Sequence, residues 1–125
     1  MKKIDVVVEK TSNGYAAYAS ELNVFTTAED VPGLYSNLND ALNLYYEDEG
    51  RIITGRDINL SINFQQFFQH YRVLNAKFLA ERIGMNASLL SQYVRGIKQP
   101  SKKQAQRILE GIREIGAELA SLRFD

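Results

Sequence analysis

The sequence predicts an α+β domain over residues 1–62 followed by an all-α domain over residues 63–125. Up to residue 62, apolar residues mostly alternate with polar ones, which is the period of a β-strand. Beyond it, they recur every three or four residues, which is the period of a helix. The charge changes at the same place, from five basic and ten acidic residues in the first part to ten basic and five acidic residues in the second. This division indicates two parts with different partners.

The composition excludes several classes of protein. The chain contains no cysteine, which removes disulfides, thiolate metal sites and thiol catalysis. Its uninterrupted apolar runs are only a few residues long, too short to cross a membrane. Asp5 and Glu9 interrupt any secretory signal at the amino terminus. We therefore expect a cytoplasmic protein.

Catalysis has little support in the sequence. His70 is the only histidine, so neither a histidine-based triad nor a zinc site can form within one chain. Nuclease chemistry of the ribonuclease-H type needs several carboxylates that converge on divalent metal ions. Asp5 lies in a predicted strand, but no pair of acidic residues at helical spacing complements it. We expect no enzymatic activity, no metal and no cofactor.

Three strands open the predicted α+β domain. Apolar and polar residues alternate over residues 4–10, and Asn13-Gly14 is a strong hairpin signal that predicts a second strand over residues 15–20. A third strand is predicted over residues 24–28. Pro32-Gly33 then breaks the strand pattern, because proline lacks an N–H and glycine frees the backbone.

One helix and one strand complete this domain, so that a single helix lies across one face of a sheet. Ser36 and Asn37 can cap the helix. Its apolar residues recur at helical spacing, namely Leu38, Ala41, Leu42 and Tyr45. The helix ends in an acidic run that opposes the helix dipole and is either solvated or in contact with a partner, namely Glu47, Asp48 and Glu49. The last strand is predicted over residues 58–62.

The all-α domain begins with an aromatic helix over residues 64–74, and residues 75–101 follow as a pair of helices joined by a turn. The first helix of the pair has an apolar face formed by Ala76, Leu79, Ala80 and Ile83. Gly84 can end it at positive φ. Asn86 suits the N-cap of the second helix, which is predicted over about residues 87–95.

The second helix of the pair buries Leu90 together with Tyr93 or Val94, and Gly96 closes it. Helix, glycine and helix alone would also fit a helical hairpin with no role on DNA. Five spaced positions, however, resemble the Xre/Cro/repressor family of helix-turn-helix domains across about residues 64–109, namely Gly84, Asn86, Ser91, Gly96 and Pro100. The resemblance implies binding to double-stranded operator DNA.

The resemblance also implies a role for individual side chains. Base edges would be contacted by Ala87 through a thymine methyl group, by Ser88 as donor or acceptor, and by Gln92 through a bidentate pair with adenine. Phosphates would be contacted by Asn75, Asn86, Ser91, Arg95, Lys98 and Gln99. Arg95 could equally be a surface charge. Lys102 and Lys103 open a helix, where positive charge opposes the dipole, so phosphate contact is the better reason for them.

A long helix, capped by Ser101 and predicted to reach about residue 122, closes the chain. Gly111 and Gly116 interrupt it and can permit close helix approach. Its apolar residues have the spacing of a short coiled-coil seam, namely Ile108, Ile112, Ile115, Leu119 and Leu122. The seam either folds back onto its own domain or forms a homodimer. Reading of two DNA half-sites favours the homodimer, and two such dimers could pair into a tetramer.

The first part of the chain carries a second resemblance. The hairpin IDVVVEKTSNGYAAYAS, Pro32-Gly33, a helix with Leu38 and Leu42, and a closing strand resemble the HicB antitoxin family across residues 4–62. The usual Gly-Asp-Thr before the helix is missing, and so is the full Pro-Asp-Leu-Pro-Gly run. The resemblance implies a degenerate ribonuclease-H-like domain, which in this family is often followed by a repressor-type DNA-binding domain.

This second resemblance implies an antitoxin of a type II toxin–antitoxin pair, which neutralises a HicA-like mRNA-cleaving toxin and represses its own operon. An acidic domain would steer a basic toxin toward it, and the clustered acids Glu47, Asp48 and Glu49 are the first choice for the contact. The alternative is a ligand-responsive repressor without a toxin partner. In that case a small-molecule pocket would be lined by tyrosines, namely Tyr15, Tyr18, Tyr35, Tyr45 and Tyr46.

Overall fold

The computed structural model describes residues 3–124, which form a four-stranded mixed sheet and five α-helices. The chain divides into two compact units, Met1–His70 (unit 1) and Tyr71–Asp125 (unit 2). Within the described residues, no helix combines the length and the apolar character that crossing a membrane requires.

The sheet of unit 1 has the strand order β3-β2-β1-β4. Strands β1 (Ile4–Thr11), β2 (Gly14–Ala19) and β3 (Val24–Ala28) form an antiparallel meander, which confirms the three predicted strands. Strand β4 (Ile58–Ile62) pairs with β1 in parallel. This parallel pair, beside two antiparallel pairs, makes the sheet mixed. The chain crosses over between β3 and β4, which allows β4 to run in the same direction as β1.

Helix α1 (Val31–Tyr45) covers one face of this sheet. Its buried leucines, Leu34, Leu38 and Leu42, pack with the inward-facing residues of the strands. The predicted break at Pro32-Gly33 and the predicted cap at Ser36 and Asn37 are wrong. The helix starts before them because Asp30 caps it, accepting a hydrogen bond from the Gly33 N–H at 2.7 Å, and proline fits a first turn, where no N–H is needed.

Helix α2 (Phe64–His70) is short and belongs to unit 1. The Gln66 side chain accepts a hydrogen bond from the Lys10 N–H at 2.8 Å, and its amide donates to the Lys10 carbonyl oxygen, so α2 is fastened to the end of β1. The aromatic helix predicted over residues 64–74 therefore ends earlier, and the division between the units falls after His70 and not after Ile62.

The fold class predicted from the sequence, a ribonuclease-H-like α+β domain followed by an all-α helix-turn-helix domain, is wrong. The chain is one α+β protein with a four-stranded mixed sheet, and at 125 residues it is too small for two domains. The error has a physical reason. Helical period starts at Phe64, but the helix formed there packs on β1, so the change of period does not mark a boundary between separate folds.

Unit 2 contains α3 (Ala76–Ile83), α4 (Ala87–Val94) and α5 (Lys102–Ala120). All three helices were predicted, and their side-chain caps, Asn75, Asn86 and Ser101, each accept a backbone N–H three residues later. Buried apolar residues come from every helix and from the turn, namely Leu79, Ala80, Met85, Leu90, Tyr93 and Ile108. Arg82 of α3 and Glu118 of α5 also form an ion pair.

Helix α5 folds back onto α3 along its first half. Ile108 is fully buried inside the unit, and Gly111 lies against Ile83, where a Cβ atom would collide with the isoleucine side chain. Ile108 is therefore not available to a seam between two chains. Of the remaining predicted seam residues, Ile112 and Ile115 are half-buried, whereas Leu119 and Leu122 are exposed.

The two glycines of α5 are expected to respond to alanine in opposite directions. Gly111→Ala should lower the free energy of unfolding by about 1–2 kcal/mol, because overpacking against Ile83 outweighs the gain in helix propensity. Gly116→Ala should raise it by about 0.5–1 kcal/mol, since nothing lies within 4 Å of a Cβ atom there. Urea unfolding of both variants measures the difference, and stabilisation by both would contradict the close packing of α5 on α3.

Candidate nucleic-acid interface

The turn between α3 and α4 is closed by backbone hydrogen bonds. Gly84 ends α3 in the left-handed region with φ of 70°. The next residue, Met85, donates its N–H to the Ala80 carbonyl oxygen at 2.9 Å and is itself buried. Glycine is needed at this position because a side chain would strain the left-handed backbone. The turn thus satisfies the end of α3 and anchors the chain just before α4 begins.

Helix α4 is amphipathic over its whole length. Leu90 is fully buried and Tyr93 is nearly so, while Ala87 and Ser88 are exposed at the first turn. Gln92 and Ser91 are half-buried. Buried anchors on one side therefore leave the polar side chains of α4 toward the surface. Of the three residues predicted to contact bases, Ser88 is polar and exposed, Gln92 is polar and half-buried, and Ala87 is apolar and exposed.

The two asparagines predicted to contact phosphates also cap helices. The Oδ1 atom of Asn75 accepts the Phe78 N–H, and that of Asn86 accepts the Leu89 N–H, each at 3.1 Å. Each carboxamide oxygen is therefore engaged within the protein. A side-chain contact of these residues with a phosphate would come from the Nδ2 amide, which is the hydrogen-bond donor of the carboxamide.

The basic residues follow α4 in an exposed loop and at the start of α5. Gly96 adopts φ of 74°, and the N–H groups of Ile97 and Lys98 donate to the Gln92 carbonyl oxygen at 3.0 and 3.3 Å. These bonds turn the chain back at the end of α4. The side chains predicted to bind phosphates beyond this point are all exposed, namely Arg95, Lys98, Gln99, Lys102 and Lys103.

Sequence reasoning missed Arg107. Its Nη2 atom donates to the carbonyl oxygens of Ile83 and Gly84 at 2.9 and 3.1 Å, and its Nη1 atom donates to Gln104 Oε1 at 2.9 Å. The guanidinium therefore satisfies carbonyl groups in the turn before α4. No signal in the sequence marks this residue, since the two carbonyl groups that it satisfies lie more than twenty positions earlier in the chain.

In unit 1, the acidic residues predicted to contact a toxin form a short 3-10 turn, Glu47–Glu49, in which all three side chains are exposed. The five tyrosines of the alternative ligand site do not line one pocket, although the rings of Tyr45 and Tyr46 contact each other with their centroids 5.0 Å apart. Tyr46 lines a cavity of about 210 Å³, Tyr35 lines a separate groove of about 370 Å³, and Tyr15 and Tyr18 lie on opposite faces of β2.

Comparisons with protein-family models, with characterised proteins and with solved structures find no match.

Proposed function

We propose that this protein binds double-stranded DNA in a sequence-specific manner through α4. The observation that carries the proposal is the α3–turn–α4 geometry. Leu90 and Tyr93 anchor a helix on whose polar side Ser88 is exposed and Gln92 is half-buried. Five exposed polar or basic residues follow this helix. A helix held in this way and flanked by positive charge fits the major groove between two phosphate backbones.

The charge distribution supports the same function. Among the described residues of unit 2, ten basic side chains stand against four acidic ones. A positive unit attracts the phosphate backbone and gains affinity from the release of counterions. The chain would act as a homodimer on two half-sites, with the contact between copies formed by the exposed end of α5, where Leu119 is 61% and Leu122 is 64% exposed.

Two substitutions separate base reading from phosphate contact. Gln92→Ala should reduce discrimination at one base pair by about 1–3 kcal/mol, because a bidentate amide contact is lost. Lys102→Ala should lower affinity about equally on all sequences and reduce the salt dependence of binding, because one phosphate contact is lost. The assay is a mobility shift with the DNA upstream of the gene, titrated with salt and compared with unrelated DNA. Unchanged binding by both variants would show that α4 is not the recognition helix.

We further propose that unit 1 binds a basic protein, specifically a HicA-like toxin, and that the chain is the antitoxin which neutralises it and represses their shared operon. The support is the negative charge of unit 1, which has ten acidic and four basic residues among those the structure describes. Such a surface accelerates association with a basic partner and repels nucleic acid. Co-expression of the full chain with the product of the neighbouring gene, followed by growth and pull-down assays, tests this part. Failure to capture that product or to relieve its toxicity would refute it.

A further inference from the structure

The sheet face of unit 1 that points away from α1 carries a row of apolar side chains. The register places Val7 opposite Tyr18 and Tyr18 opposite Phe25, so the row crosses β1, β2 and β3. Side chains that are directly opposite one another on adjacent strands lie about 4.5–5.5 Å apart at Cβ, which makes the row continuous. Phe25 is nevertheless 65% exposed. The row thus ends in an exposed aromatic ring on the edge strand of the sheet.

At the paired strand positions described on this face, the charged side chains are those of Asp5 and Glu9. Asp5 and Glu9 flank Val7 along β1, and each accepts a hydrogen bond from an asparagine, Asn59 and Asn63 respectively, at 2.9 and 2.8 Å. These bonds hold the carboxylates in place. The other residues that face outward are uncharged, namely Ala16, Thr27, Asn59 and Ser61.

Tyr18 joins the aromatic row to the acidic residues. Burial raises the pKa of the Tyr18 hydroxyl, and the nearby Glu9 carboxylate raises this pKa further. The strand register makes Glu9 a diagonal neighbour of Tyr18, because Val7 lies opposite Tyr18 and Glu9 lies opposite Ala16. A cation placed over the ring would meet both the ring face and the carboxylate.

We propose that this face, which we call the aromatic–acidic face (Asp5, Val7, Glu9, Tyr18 and Phe25), binds an arginine-rich segment of a basic protein. A guanidinium is planar, so it stacks on Tyr18 or Phe25 while its N–H groups pair with Glu9 or Asp5. A lysine ammonium offers no plane to stack and carries a stronger hydration shell. Nucleic acid is disfavoured because the carboxylates repel phosphate. The inference rests on the proposed function only in that the partner of unit 1 is basic.

The acidic turn Glu47–Glu49 is the competing surface. Its carboxylates are exposed on a single 3-10 turn that follows two exposed apolar side chains, Leu44 and Tyr45. The sheet row differs from it because strand pairing sets the spacing of the apolar side chains in the row. An arginine-rich segment would be attracted to both places by charge. On the aromatic–acidic face, asparagine side chains fix the two carboxylates beside the paired aromatic residues. Contact there should therefore depend on the aromatic rings as well as on the charge.

Fluorescence anisotropy with the full chain and two labelled peptides tests the proposal. One peptide alternates arginine with serine, and the other has lysine at every arginine position. The arginine peptide should bind about tenfold more tightly, and Phe25→Ala and Glu9→Gln should each weaken its binding by about five- to tenfold. The triple variant E47Q/D48N/E49Q is the matched control. It removes three charges from unit 1 and should weaken binding of the arginine peptide by less than about threefold.

Several results would overturn the proposal. They are equal binding of the two peptides, unchanged binding by Phe25→Ala, and a loss in the triple control as large as that in Glu9→Gln. Self-association of the free protein, measured by sedimentation and abolished by Phe25→Ala, would also overturn it. The occupant of this face would then be a second copy of the chain and not a basic protein. Circular dichroism and urea unfolding verify that each variant is folded. Operator binding, measured in parallel, should be unchanged in Phe25→Ala, so failure of the DNA-binding proposal would be seen separately.

Discussion

Leu90→Ala is expected to lower the free energy of unfolding of unit 2 by about 2–5 kcal/mol and to abolish specific DNA binding with it. Leu90 is fully buried in α4, and its truncation leaves a cavity beneath the helix proposed to enter the groove. Because the same side chain holds α4 in position, stability and DNA binding should be lost together. Urea unfolding and a mobility shift on the upstream DNA measure the two effects.

Ser88→Ala is the matched control for this experiment. Ser88 lies on the same helix but is exposed, so its replacement should change the unfolding free energy by less than about 0.5 kcal/mol. Its effect on DNA should be confined to one base contact. If Leu90→Ala unfolds at the same urea concentration as the unaltered protein, the packing of α4 described above is wrong.

Arg107→Met is expected to lower the free energy of unfolding by about 1.5–3 kcal/mol, because two carbonyl oxygens in the turn before α4 lose a charged donor. Binding to the upstream DNA should weaken because the orientation of α4 is less well fixed. The dependence of affinity on salt should stay the same, since this guanidinium donates to carbonyl groups of the protein. Arg107 is in this sense a positioning residue.

Lys102→Ala is the control with which the salt dependence of DNA binding by Arg107→Met is compared. Removal of one phosphate contact should reduce the slope of log affinity against log salt by about 0.9, with little change in stability. The opposite pattern in Arg107→Met, a reduced slope with unchanged urea unfolding, would show that Arg107 contacts phosphate and does not hold the turn.

The elements predicted correctly depend on residues close together in the chain. Asn86 caps α4 through the N–H of Leu89, three residues later, and Gly84 ends α3 because glycine tolerates the left-handed backbone there. The start of α1 at Asp30 also had a local signal. Asp30 caps the helix two residues before Pro32, and proline is common in a first turn, so the predicted break at Pro32-Gly33 was wrong despite this local signal.

The features that the sequence left open or predicted wrongly depend mostly on residues far apart in the chain. The parallel pairing of β4 with β1 brings Ile58 beside Ile4, and the attachment of α2 to the sheet requires Gln66 to reach Lys10. Helical spacing placed Ile108 in an apolar stripe but could not tell whether a second copy or its own unit covers that stripe. The contact of Gly111 with Ile83 decides this for the first half of α5.

The sequence by itself determined where the strands and the three helices of unit 2 form, because period, caps and turns act over three or four residues. Only the tertiary structure decided that these elements make one α+β protein, that Arg107 holds the turn before α4, and that Val7, Tyr18 and Phe25 form one surface. The physical reason is that burial and strand pairing join residues by distance in space. No local pattern records which distant segment will supply the partner.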